Sequence, residues 1–187
     1  MNKKTVGLIL FIGIFAVIGV GMVLAFGNFS SGSDPVAAYK ASLAASDKEV
    51  EKHAQGVIAP NFNLPLLGGG VVNLTDLRGK KPVVLAFWAS WCPNCRRDMP
   101  KMNAYYGKYK NKVAVVAINM QEDSKTVADF VAAGNLVLPV ALDSGSTAQA
   151  YGVQYTNTHI LVDKDGKIIK TLVGDIQEED FQLLASL

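Results

Sequence analysis

The stretch Ala86-Phe87-Trp88-Ala89-Ser90-Trp91-Cys92-Pro93-Asn94-Cys95 decides the fold. It carries both cysteines of the chain, three positions apart, directly behind the apolar run Val83-Val84-Leu85. An unbroken apolar run of this kind reads as a strand buried on both faces. A Cys-x-x-Cys placed where such a strand gives way to a helix is the arrangement of thiol–disulfide exchange. With the helix starting at Cys92, the first thiol lies among unpaired backbone N–H groups at the positive end of the macrodipole, which favours thiolate. Cys92 is then the nucleophile. Pro93 suits the first helical position, where a missing N–H loses no bond. Cys95, almost one turn on, returns to the same face within disulfide reach and can resolve a mixed disulfide.

Two other uses of a cysteine pair stand beside this one. Half of a zinc site would need further ligands, and the chain offers only His53 and His159 as histidines, so no metal site is expected. A static structural disulfide would close a loop too short to constrain the unfolded chain much.

Working outward from the dithiol, the pattern alternates. Residues 71–74 read as a short strand and 75–79 as a tight turn or single helical turn, followed by the buried strand 83–88. A helix is predicted over 93–110, with Pro100 inside it removing one hydrogen bond and kinking it. Residues 113–119 form a second buried strand, 124–133 a helix closed by Gly134, 139–142 a short strand and 146–151 a short helix. Strands 159–163 and 167–173 flank Lys164-Asp165-Gly166, whose Asp-Gly step signals a hairpin. The last helix is expected to begin at Asp175, with Glu178 completing a capping-box-like start. Strands joined first by helices and then by a hairpin make an α/β fold with a mixed central sheet flanked by helices.

The N-terminal part is a different material. Lys3 and Lys4 precede an uncharged apolar run over residues 6–26, long enough to cross a bilayer as one transmembrane helix. The two lysines place the N-terminus inside and the rest on the extracytoplasmic side of the cell membrane. A cleaved signal peptide is the competing reading, but the run is long for a signal core and no clear small-x-small site follows. Residues 1–27 are therefore the expected anchor. Residues 28–56 make a Ser/Gly-rich linker and a helical stalk, and residues 57–187 suffice for one domain. His53 falls in the stalk and reads as a solvated residue. The formal net charge of +2 is too small to point to nucleic acid.

Trp91-Cys92-x-x-Cys95, Pro100, Tyr151-Gly152-Val153, Leu161-Val162-Asp163 and Lys164-Asp165-Gly166-Lys167 together resemble a thioredoxin fold. More narrowly, Ala59-Pro60-Asn61-Phe62, Asn73 to Lys80 and Cys95-Arg96-Arg97-Asp98-Met99-Pro100 are similar to the membrane-anchored, extracytoplasmic thioredoxins of the TlpA/ResA type. The match runs from Ala59 to the C-terminus. The resemblance implies a protein-disulfide reductase without cofactor, acting on disulfide substrates such as apocytochrome c before haem attachment and fed by a membrane thiol electron donor. It makes Cys92 the attacking thiol and Cys95 the resolving one. It places Asp98 where the family commonly has a glutamate that helps titrate the pair. Asp98 also makes independent sense, three residues after Cys95 on one helix face. Trp91, Pro93, Asn94, Asn157 and Thr158 are the expected substrate-binding positions.

Two departures from the pattern stand out. Where other thioredoxins carry a buried aspartate on the strand before the motif, this chain has Ala86. The family's cis-proline loop aligns with Asn157-Thr158, and a cis peptide before a non-proline costs about 2.5–4 kcal/mol, so trans is expected here. His159, two residues on, either approaches the site or sits in the sheet with a hydrogen-bonding partner. Two further functions stay open beside the reductase. One is an envelope disulfide oxidase, since Pro-Asn between the cysteines does not fix the potential. The other is a metal- or copper-binding protein in which the altered Asn157 loop exposes both sulfurs.

Overall fold

A computed structural model describes Val36 and residues 56–187. The anticipated span at 6–26 and most of the linker and stalk lie outside the described residues, and no described helix is long and apolar enough to cross a membrane.

A five-stranded sheet forms the centre, in the order β5-β4-β3-β6-β7. It is built from β3 (Val83–Trp88), β4 (Ala114–Met120), β5 (Val140–Asp143), β6 (Thr158–Val162) and β7 (Ile168–Val173). Strands β3, β4 and β5 run parallel, while β6 and β7 are antiparallel additions. A small hairpin, β1 (Asn63–Pro65) with β2 (Val71–Asn73), precedes them. The helices are α1 (Leu74–Leu77), α2 (Pro93–Tyr109), α3 (Ser124–Ala133), α4 (Ser146–Ala150) and α5 (Glu178–Ala185). This is the mixed sheet flanked by helices that the sequence pattern predicts.

Every residue of β3 is buried, because its pleat serves two cores. Val84, Ala86 and Trp88 face a core completed by Met99 and Met102 of α2 and Phe181 of α5. Val83, Leu85 and Phe87 face a second core with Phe62, Leu64 and Leu74. Burying each large apolar side chain contributes roughly 1.5–3 kcal/mol, so the strand that leads to the dithiol is firmly held from both faces. Trp88 also packs its ring on Phe130 of α3 with centroids 5.0 Å apart. The end of β3 is fixed just where Cys92 must be aimed.

Several boundaries differ from expectation. Strand β1 carries no strong apolar alternation and is absent from the sequence reading. Leu74 opens α1 rather than closing β2, because Asn73 caps that helix by accepting the Thr75 N–H. The last helix starts at Glu178, three residues later than expected. Asp180, not Glu178, reaches back to accept the Gln177 N–H at 3.0 Å. Asp175 is drawn instead to cations on α2. Helix α2 continues through Pro100 to Tyr109.

Candidate active site

The dithiol sits at the C-terminal edge of β3, where α2 begins. Cys92 is the N-cap of α2 with extended backbone (φ −78°, ψ 116°), and Pro93 occupies the first turn. The Cys92 Sγ accepts the backbone N–H of Cys95 at 3.2 Å. A thiolate acting as the cap satisfies a donor that the helix would otherwise leave open. Both cysteines are unbridged. They differ in access: Cys92 is 5% exposed and Cys95 fully buried.

Their titrations diverge accordingly. Burial alone would raise Cys92, but hydrogen bonds from the Cys95 thiol, from Thr156 and from the backbone at Cys95 and Asn94 outweigh it, and the thiol titrates below its usual range. Burial first, then the hydrogen bond to Cys92, pushes the Cys95 thiol up to about 12. The outer sulfur is therefore the more readily ionised of the two. In the reduced protein with both cysteines present, alkylation of Cys92 is expected to reach half its limiting rate at a lower pH than that of Cys95. Cys95 should stay unreactive through neutral pH. Faster alkylation at Cys95 would reverse the order.

Around the sulfurs, Trp91 is 66% exposed and Tyr155 65% exposed, an apolar rim beside Cys92. Pro93 and Asn94 are exposed on the first turn, and Asn94 Oδ1 accepts from Arg97 at 3.1 Å. Thr158 is buried, its hydroxyl donating to the Tyr155 carbonyl at 2.7 Å, which leaves that side chain turned away from solvent.

Asn157 is buried too, and the described residues contain no cis peptide bond. Its backbone is left-handed (φ 60°), a conformation in which asparagine is enriched. Its N–H donates to the Phe87 carbonyl at 2.9 Å and its carbonyl accepts the Gly174 N–H at 2.8 Å. Both main-chain groups are thus bonded within the fold. The loop still bears on the dithiol, because backbone at Asn157 hydrogen-bonds Cys95 and Thr156 hydrogen-bonds Cys92.

Asp98 is buried, and His159 Nε2 lies 3.0 Å from its Oδ2. Strand β6 places His159 in register with Ala86 of β3. Of the two readings the sequence left open, the structure shows His159 in the sheet, with the Asp98 carboxylate as its neighbour.

Other partners were not legible in the sequence. Glu122, after β4, accepts from the Ser90 N–H at 2.7 Å, the Ser90 hydroxyl at 2.5 Å and Asn119 Nδ2 at 2.7 Å. It pins the turn leading into Cys92. Asp175 takes Arg97 at 2.6 Å and Lys101 at 3.0 Å, and the Arg97 hydrogen bond, against some burial, holds its carboxyl down to about 2. Both groups come from loops at the same edge of the sheet, which no local periodicity connects to the dithiol. Among the described residues no group of three or more His, Cys, Asp or Glu could hold a metal ion.

A thioredoxin fold with an asymmetric dithiol at a helix N-terminus defines a thiol–disulfide exchange protein. The chain belongs to the Redoxin family, whose profile matches residues 54–186. It is 40% identical to the thiol-disulfide oxidoreductase ResA of Bacillus anthracis over 134 residues, covering 71% of this chain and 77% of that one. The ResA of Geobacillus thermodenitrificans is 40% identical over 131 residues, covering 69% and 75%. The crystal structure of StoA from Bacillus subtilis aligns with a TM-score of 0.60 at 26% identity, covering 68% of this chain and 97% of that one. The protein is a thiol–disulfide oxidoreductase.

Proposed function

We propose that this oxidoreductase is a reductant of protein disulfides, held by residues 6–26 on the extracytoplasmic side of the cell membrane, with apocytochrome c as substrate and a membrane thiol carrier as electron donor. Cys92 attacks the substrate disulfide and Cys95 resolves the mixed disulfide. The observation that carries this reading is the asymmetry of the dithiol: an outer thiol pulled down by hydrogen bonds and an inner one pushed up by burial. One sulfur is ready to attack, while the other stays protonated until the mixed disulfide forms. The exposed rings of Trp91 and Tyr155, with Val173 exposed on the neighbouring strand end, suit an unfolded chain whose apolar residues are accessible around its disulfide. The ResA relatives support the exchange chemistry. Lys3 and Lys4 ahead of the apolar run support the orientation.

The test is the resting redox state in the cell, read by trapping free thiols in acid and then alkylating, together with a C-terminal reporter active only outside the cytoplasm. A reduced dithiol and an active reporter are expected. A dithiol found oxidised at rest would make the protein an oxidase, and an inactive reporter would overturn the topology.

A further inference from the structure

Asp98 comes from α2 and His159 from β6, and the two meet in the interior. Each is 1% exposed. Asp98 Oδ2 lies 3.0 Å from His159 Nε2 without the alignment of a hydrogen bond, and Oδ2 accepts the Ile176 N–H at 3.4 Å. Asp98 Oδ1 and both ring nitrogens of His159 have no hydrogen-bond partner. Buried polar atoms are rarely left so. Ala86 stands directly opposite His159 on β3, so only a methyl group occupies the position beside the ring. Cys95 lies one turn before Asp98 and is buried in the core under α2.

A carboxyl and an imidazole cut off from water do not behave as separate ions. Burial favours the neutral form of each when alone, while contact favours the charged form of both. Contact therefore couples the charge of each group to that of the other. Arg97 and Lys101 on α2 bond outward to Asp175, although the Arg97 charge still reaches Asp98. Asp180 of α5 is taken by Lys170 of β7. From β3 the neighbour is Ala86, and from β7 Leu172 pairs with His159, while Thr171, paired with Ile160, points to the other face of the sheet. His159 is thus the titratable group in contact with Asp98.

We propose that His159 is a positioning residue that keeps buried Asp98 ionised, so that Asp98 accepts the Cys95 proton in the second half of the exchange. This rests on the reading of Cys92 as attacking and Cys95 as resolving thiol. The proton passes from the Cys95 Sγ to the Asp98 carboxylate. The Cys95 thiolate attacks the Cys92 Sγ, the Cys92–Cys95 bond forms, and the bond from Cys92 to the substrate sulfur breaks. The substrate sulfur leaves with the electron pair and takes a proton from water. The dithiol is oxidised by two electrons and the substrate disulfide reduced.

Full-length protein in detergent, mixed with dithiobis(nitrobenzoate), should release thionitrobenzoate in two phases. Attack by Cys92 gives the first and resolution by Cys95 the second. The readout is the ratio of the two rates against pH. In His159→Gln and His159→Leu the second phase should slow about tenfold or more at pH 7 relative to the first, and recover as pH rises, as expected for loss of a positioned base. Asp98→Asn should slow it too, and His159→Leu added to Asp98→Asn should change nothing further, since both act through one group. Second-phase profiles of folded His159 variants that superimpose on the unmodified protein overturn the proposal, as do effects that multiply with Asp98→Asn. The unmodified protein gives a check free of any variant: the His159 ring titration followed by NMR should differ between reduced and oxidised dithiol, and identical titrations overturn the proposal. Absence of the first phase in the unmodified protein would instead refute the exchange assignment itself.

Discussion

Cys92→Ser is expected to abolish disulfide exchange at every pH, whereas Cys95→Ser should keep the first attack and accumulate a mixed disulfide with substrate. The asymmetry follows from placement. Cys92 is the sulfur with solvent access and caps α2, accepting the Cys95 N–H; a serine hydroxyl can cap the helix equally well but ionises far outside the working range. The fold should therefore survive while turnover falls by several orders of magnitude, since removing a nucleophile leaves no route to the covalent intermediate. Cys95 is fully buried, with its thiol pushed up to about 12, so its loss leaves Cys92 free to attack and nothing to release the product. Stopped-flow exchange kinetics and mass spectrometry of trapped species check both halves. Equal loss of the first attack in the two variants would mean that neither sulfur has the separate part assigned to it.

Asn157→Pro is expected to destabilise the protein by about 3 kcal/mol or more, although proline stands at this place in the resembling family. The loop of this chain is built for asparagine. Proline fixes φ near −65°, while Asn157 sits at φ 60°. It also removes the N–H that Asn157 donates to the Phe87 carbonyl at 2.9 Å. That bond ties the loop to the strand leading into the dithiol. On the sequence alone, restoring proline would be expected to improve activity; the left-handed backbone reverses that expectation. Asn157→Gly, which keeps the N–H and accepts positive φ, should cost far less. Chemical denaturation of the two variants gives the comparison, and a proline variant as stable as the parent would show that the loop readily rebuilds into the family geometry.

The dithiol, the strand behind it, the helix ahead of it and the mixed sheet were legible because each has a local signature. Val83–Trp88 is an unbroken apolar run, Pro93 follows Cys92, and Asp165-Gly166 marks the β6–β7 turn. The order of events at the two sulfurs follows from the helix end alone. The sequence also determined that Asn157 replaces a proline, but not how the loop absorbs the change, because a left-handed residue bonded to Phe87 and Gly174 is a property of three segments at once. Likewise Glu122 clamping Ser90, Asp175 gathering Arg97 and Lys101, and His159 meeting Asp98 join residues far apart in the chain. Periodicity and motif spacing report on one element at a time. Contacts between elements depend on sheet order and register, and it is the pairing of His159 with Ala86 across β6 and β3 that brings an imidazole to the Asp98 carboxylate of α2.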